Sequence, residues 1–201
     1  MRTLLSEDEL TTGVNQLAGE IDQYYGSDRP LTVIAIMTGS LVLFADLIRR
    51  LSMPQRVGVI RASSYRGGTS SGDLSVDAEM MIDVKGRDVL LVDDIFDTGK
   101  TLDRLSGMML EFGATSVKTA VLLHKQREHV TKMRPDFVAF KIPDEFVVGY
   151  GLDYMDMHRN LPYLAILEPR EILETAAHAR GEMIAEEASD MIAGGESSDG
   201  E

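Results

Sequence analysis

The chain has no cysteine among its 201 residues. That excludes a disulfide framework and thiolate chemistry. No apolar run approaches the roughly 20 residues that a membrane-spanning helix needs. The N-terminus, MRTLLSEDEL, lacks the apolar core of a signal peptide. Together these absences set the expectation of a cytoplasmic protein without a membrane partner. Basic residues are scarce: 20 Lys and Arg stand against 33 Asp and Glu, a net charge of −13. Nucleic-acid binders carry basic patches that neutralise phosphates. The only adjacent basic pair here is Arg49-Arg50, so nucleic acid is not an expected partner. An acidic chain that takes an anionic substrate must gather its cations, or a metal ion, at the site. No internal repeat recurs at a fixed period. The four histidines, His124, His129, His158 and His178, share no metal-ligand spacing. The twelve methionines read as core filler.

What the chain does contain is centred on Arg87 to Leu102, RDVLLVDDIFDTGKTL. Val89 to Val92 is a short, unbroken apolar run, as expected of a strand buried on both faces. The acids Asp93 and Asp94 follow as an acidic tip, and then Asp97, Thr98, Gly99, Lys100 and Thr101. This segment is small and polar and reads as a loop. Leu102, Leu105, Met108, Met109 and Phe112 then recur at helical spacing, with Gly113 as the stop. A loop entering a helix N-terminus offers free N–H groups and the positive end of the dipole, which suits a phosphate. The acid pair suits sugar hydroxyls or a hydrated metal ion. A Walker A loop is excluded, because Asp94 occupies the place of its first glycine.

The remaining chain supplies companions. Ser6 and Glu9 form a capping box ahead of a packing helix with Leu10, Val14, Leu17, Ile21 and Tyr24 or Tyr25 on one face. Leu31 to Met37 is a second buried strand. Thr38-Gly39-Ser40 follows, and then a helix over Leu41 to Leu51. The loop between is either a tight βα turn or a ligand loop at the same sheet edge as the first. Arg56 to Ala62 reads as a strand. Ser63 to Asp73 is too polar and glycine-rich to pack, and is either an unstructured hairpin tip or a lid carrying Ser64 and Tyr65 that shuts out water. Leu74 to Ile82 alternates like a return strand. Ser116 to Leu123, Asp136 to Ile142 and Leu164 to Leu167 are further strands, and residues 143–154 read as a binding loop. Pro169 opens a last helix with Ile172, Leu173, Ala176, Ala177 and Met183 as apolar positions. Residues 186–201 form an acidic tail expected to lack structure.

VLLVDDIFDTGKTL resembles the phosphoribosyl-diphosphate (PRPP) motif of the type I phosphoribosyltransferases. Met37-Thr38-Gly39-Ser40, the segment SSYRGGTSSGDL, Leu122-Leu123-His124-Lys125 and the run from Pro135 to Leu167 resemble the hypoxanthine-guanine branch. The resemblance covers roughly residues 5–170. It implies an α/β fold with a mostly parallel sheet between helices, a hood over residues 142–160 with the N-terminal segment, and a β-hairpin lid over 63–75. One domain over residues 1–185 is expected.

The implied reaction is purine salvage: hypoxanthine or guanine plus PRPP gives IMP or GMP plus diphosphate, with Mg²⁺ as cofactor. The resemblance makes Asp97 the catalytic acid or base. It gives Asp93, Asp94, Asp97, Thr98, Gly99, Lys100 and Thr101 to the ribose and its phosphate. Thr38, Gly39 and Arg159 fall to the diphosphate, with Arg61 as a weaker candidate. Lys125, Phe146, Val147 and Asp153 fall to the purine, and Asp93, Asp94 and Asp153 to the metal. Lys125 has only donors, so it suits a 6-oxo group and not the amino group of adenine. Many relatives carry Lys or Arg at the place of Thr38, so a diphosphate contact there would rest on backbone. A homo-oligomer, dimer or tetramer, is implied. Two alternatives stay open: a preference for xanthine, and a non-catalytic sensor of PRPP or nucleotides.

Overall fold

The protein is described from a computed structural model over residues 1–61, 82–127 and 130–179. The expected lid with Ser64 and Tyr65, most of its return strand and the acidic tail lie outside these residues.

Five strands make a wholly parallel sheet in the order β3-β2-β4-β5-β6: β2 (Leu31–Met37), β3 (Gln55–Arg61), β4 (Asp88–Phe96), β5 (Ser116–Lys125) and β6 (Phe137–Ile142). Three helices cover it: α1 (Glu7–Tyr25), α2 (Leu41–Ile48) and α3 (Lys100–Glu111). The unbroken apolar runs have a direct cause, because side chains alternate between faces and both faces are covered. On one face Leu31, Val33, Ala35, Leu90 and Val92 pack with Leu10, Val14 and Leu17 of α1 and Leu43 and Leu47 of α2. On the other, Ile34, Ile36, Val89 and Leu91 pack with Leu102, Leu105 and Met109 of α3.

The capping box is formed. The Ser6 hydroxyl accepts from the Glu9 N–H at 3.3 Å, and the Glu9 carboxylate accepts from the Ser6 N–H at 2.8 Å. Of the two tyrosines that end α1, Tyr25 is the buried one. Two apolar assignments fail. Phe112 caps the end of α3 and is exposed, and Leu173 is exposed on the last helix, α4 (Pro169–Ala179). Helical spacing marks a face, but what packs on that face decides burial. The second helix also ends earlier than expected, at Ile48, because the Arg50 N–H turns to the Leu47 carbonyl and the chain leaves through a turn toward Pro54.

A second, three-stranded antiparallel sheet was not foreseen. It joins β1 (Arg2–Leu5), β8 (Leu164–Ile166) and β7 (Val147–Val148) in the order β1-β8-β7. Val147, Leu164 and Ile166 share the core of α1 and α2. Two residues of the expected binding loop are thus strand, and they fix the rest of that loop to the main body.

Candidate active site

β2 and β4 pair from Leu31↔Asp88 to Ala35↔Val92 and no further. β4 continues against β5 through Asp93↔Val121, Ile95↔Leu123 and Phe96↔His124. Asp93 and Asp94 are therefore not a tip beyond the strand, as expected, but part of it. The longer β5 keeps the ladder going after β2 has stopped. A crevice opens where β2 and β4 separate, their following helices lying on opposite faces of the sheet. That is the ligand position of open α/β sheets.

A cavity of about 390 Å³ fills the crevice. Its walls include Asp93, Asp94, Asp97, Thr98, Gly99 and Thr101 from β4 and the loop into α3. Thr38 and Gly39 come from the β2–α2 loop, and Asp153 and Arg159 from the segment after β7. Gly99 caps α3 with φ +82°, a conformation that costs glycine little. Lys100 is exposed and lines no wall, so only its backbone at the first turn of α3 is within the loop's reach. The Met37–Thr38 peptide is cis. A Cβ on Gly39 would land on the Asp94 carboxylate. A Cβ on Gly151, whose φ is +100°, would run into the Gly39 carbonyl oxygen. These two glycines let three chain segments converge on one point.

Asp93 is buried, and its carboxylate accepts from the Asp94 N–H at 3.1 Å. The Asp94 carboxylate accepts from the Ile95 N–H at 2.8 Å. Burial pushes the Asp93 carboxyl well above the usual range, and the neighbouring Asp94 charge pushes it further. Burial raises Asp94 as well, opposed by hydrogen bonds from Asp93 and the Ile95 N–H. The pair is short of positive charge, as a site for a cation or for sugar hydroxyls should be. Among the described residues no group of three His, Asp or Glu side chains could hold a metal alone. The donor set fits Mg²⁺ in its usual protein setting, one or two carboxylates completed by water and substrate phosphates.

A second cavity, about 220 Å³, adjoins the first and shares Asp94, Ile95, Asp97 and Asp153 with it. Its other walls are Lys125, Phe146, Val147 and Leu152. Every residue expected at the purine thus lines one cavity. Lys125 ends β5, largely covered, with its ammonium 3.4 Å from Asp144. The half-exposed Phe146 ring meets Tyr154 edge-on at 5.2 Å. Asp153, expected at the purine and the metal, and Arg159, expected at the diphosphate, form one ion pair at 2.8 Å, and Arg159 also donates to the Gly151 carbonyl at 2.9 Å. Arg61 lines neither cavity.

Residues not singled out from the sequence are Leu152, Asp144 and Arg127. Arg127 sits 3.0 Å from Asp97 and 3.5 Å from Asp144. Asp144 and Leu152 fall within the expected binding loop 143–154, and the only signal for Arg127 was its nearness in the chain to Lys125.

The chain is similar to known proteins over most of its length. A family model described as the phosphoribosyl transferase domain matches residues 3–155. This chain belongs to the phosphoribosyltransferases. The hypoxanthine-guanine phosphoribosyltransferase of Streptococcus pneumoniae is 40% identical over 168 residues, 83% of this chain and 93% of that protein. The Bacillus subtilis protein of the same name is 38% identical over 169 residues, 84% of this chain and 93% of its own. Among solved structures, the Bacillus anthracis hypoxanthine-guanine phosphoribosyltransferase has a TM-score of 0.79 at 34% identity, covering 84% of this chain and 99% of that one. The Trypanosoma cruzi hypoxanthine phosphoribosyl transferase has a TM-score of 0.81 at 35% identity, covering 88% and 96%. Within the phosphoribosyltransferases, the chain belongs to the hypoxanthine-guanine group. No described helix is long and apolar enough to cross a membrane.

Proposed function

We propose that the protein transfers the 5-phosphoribosyl group of PRPP to hypoxanthine or guanine, giving IMP or GMP and diphosphate in purine salvage. One observation carries the reading: a phosphate-loop cavity and a Lys125 cavity share Asp94, Asp97 and Asp153. A ribose held in the first would present its C1 to a base held in the second.

Each role follows from the chemistry of the group. Asp97, Thr98, Gly99 and Thr101, with the Lys100 backbone, take the 5′-phosphate on N–H groups and hydroxyls at the start of α3. Asp93 and Asp94 accept from the ribose hydroxyls. Arg159 and the Thr38-Gly39 backbone take the diphosphate. Lys125 donates to the 6-oxo group, Phe146 stacks on the ring, the Val147 backbone meets its edge, and Asp153 faces its C2 side. Asp93 and Asp94 would hold the Mg²⁺ of the Mg²⁺–PRPP complex and Asp153 a second Mg²⁺; the metal would neutralise charge on the departing diphosphate. The C1–O bond to diphosphate breaks with oxocarbenium character, as in glycoside chemistry. The purine nitrogen attacks C1, and Asp97 takes or returns its proton. The reading also takes the enzyme as a cytoplasmic homo-oligomer, dimer or tetramer, folded as one domain over residues 1–185.

The test is nucleotide formation from hypoxanthine, guanine, xanthine and adenine with PRPP and Mg²⁺. IMP and GMP are expected, and AMP is not. No turnover of any 6-oxopurine overturns the proposal.

A further inference from the structure

Four charged side chains form a succession of ion pairs whose ends reach the base cavity. Asp97 meets Arg127 at 3.0 Å, Arg127 meets Asp144 at 3.5 Å, and the same Asp144 Oδ1 meets Lys125 at 3.4 Å. The two ends of the succession, Asp97 and Lys125, line the base cavity. The two middle members line neither cavity. The backbone beside each is held by bonds other than these ion pairs. Gln126, one residue before Arg127, donates from its N–H to the Ile142 carbonyl at 2.8 Å, and Glu145, one residue after Asp144, to the Pro143 carbonyl at 2.9 Å. Further along the same connection, the Val130 N–H donates to the Thr98 carbonyl at 3.1 Å, tying it to the phosphate loop.

We infer that Arg127 and Asp144 are positioning residues that hold the Asp97 carboxylate and the Lys125 ammonium in fixed relation. The inference rests on the roles proposed above for those two ends. The need for it is geometric. Asp97 must face N7 and Lys125 the neighbouring 6-oxo group of the same flat base, so their separation must match the purine. Lys125 is a flexible four-carbon stem with a point charge at its end, and nothing in its own chemistry sets a direction. Asp144 supplies that direction. The Arg127 Nη1 carries two N–H donors, and this one nitrogen meets both Asp97 and Asp144. Half-exposed ion pairs add little to folding stability, so removing the middle of the succession should leave the fold intact. Misplacing a catalytic group by about 1 Å can cost on the order of 100-fold in rate.

The experiment compares Arg127→Ala, Arg127→Lys, Asp144→Asn and the double variant Arg127→Ala/Asp144→Asn with the parent enzyme. The readouts are kcat, KM for hypoxanthine, KM for PRPP and the melting temperature. Arg127→Ala is expected to lower kcat by about 10- to 100-fold, with the PRPP KM and the melting temperature near the parent values. Arg127→Lys should recover part of the loss. Asp144→Asn should act mainly on the hypoxanthine KM, through Lys125. The double variant should lose less than the product of the single losses, because members of one succession are not additive. Unchanged kcat in Arg127→Ala overturns the inference. So do fully multiplicative losses, or an equal fall in kcat, PRPP affinity and melting temperature. A parent enzyme that turns over no 6-oxopurine is a different result: it defeats the proposed function, and is seen before any variant is made.

Discussion

The two halves of the site are built in opposite ways. The phosphate half is local: Asp93 to Thr101 is one strand end, one loop and one helix start. The base half is assembled from Lys125 at the end of β5, Phe146 and Val147 at β7, and Asp153 beyond it. The local half is contiguous in sequence, although β5 keeps Asp93 and Asp94 in the strand and Gly39 packs against Asp94. The assembled half exists only because β7 is pinned to β8, and β8 to β1. A nucleotide fold can thus keep one phosphate grip while the acceptor pocket is set by side chains from elsewhere. Asp97 belongs to both halves, and the comparison is sharpest there.

The largest effect should come from that shared residue. Asp97→Asn keeps the shape and removes the ability to take a proton. We expect kcat to fall by about 100-fold or more, with the PRPP KM changed far less. Equal losses in kcat and PRPP binding would make Asp97 a phosphate-loop residue only and would remove the link between the halves. Lys125→Gln comes next and should confine its damage to one half. Losing a charge-assisted hydrogen bond of about 1.5–3 kcal/mol raises the hypoxanthine KM by roughly 10- to 100-fold, while the PRPP KM stays close to the parent value. A matching rise in both would mean that the halves are not separable.

The same contrast explains what the sequence disclosed. The strands β2, β4 and β5 were legible because a strand buried on both faces is a continuous apolar word. The phosphate loop was legible because acid pair, hydroxyls and glycine stand together in 16 residues, Arg87 to Leu102. The small sheet was not legible. Arg2–Leu5 is short and half open, with no clean alternation, and its partner Leu164–Ile166 is more than 150 residues away. The extension of β4 through Asp93 and Asp94 was hidden for a related reason. Two adjacent carboxylates look like the end of a strand, and only the length of β5 keeps them in it. Arg127 was invisible because nothing in KQR distinguishes a positioning guanidinium from a solvated one. Lys125, Phe146, Val147 and Asp153 were brought together only by a family resemblance, since no local rule brings positions so far apart to one cavity.

The smallest expected effect tests the phosphate half without any substrate. Asp93 and Asp94 are adjacent, covered, and both held above the ordinary carboxylate range, first of all by burial. A carboxyl whose folded value is raised contributes stability that is fully present below its unfolded value, about 3.9 for Asp. That contribution is lost as the pH rises through the folded value. The substrate-free enzyme therefore folds against its own acid pair at neutral pH. Asp93→Asn removes the charge and keeps the shape, so its melting temperature should exceed that of the parent at pH 7. The shift should be a few degrees, at about 2–4 °C per kcal/mol for a chain of this size. Toward pH 4, where the parent pair takes up protons, the advantage should shrink. PRPP affinity should fall in the same variant, because the charge that burdens the fold is the one proposed to meet the ribose and its cation. A variant less stable than the parent at neutral pH would show that the pair supports the fold. The phosphate half would then owe as much to packing as the base half does.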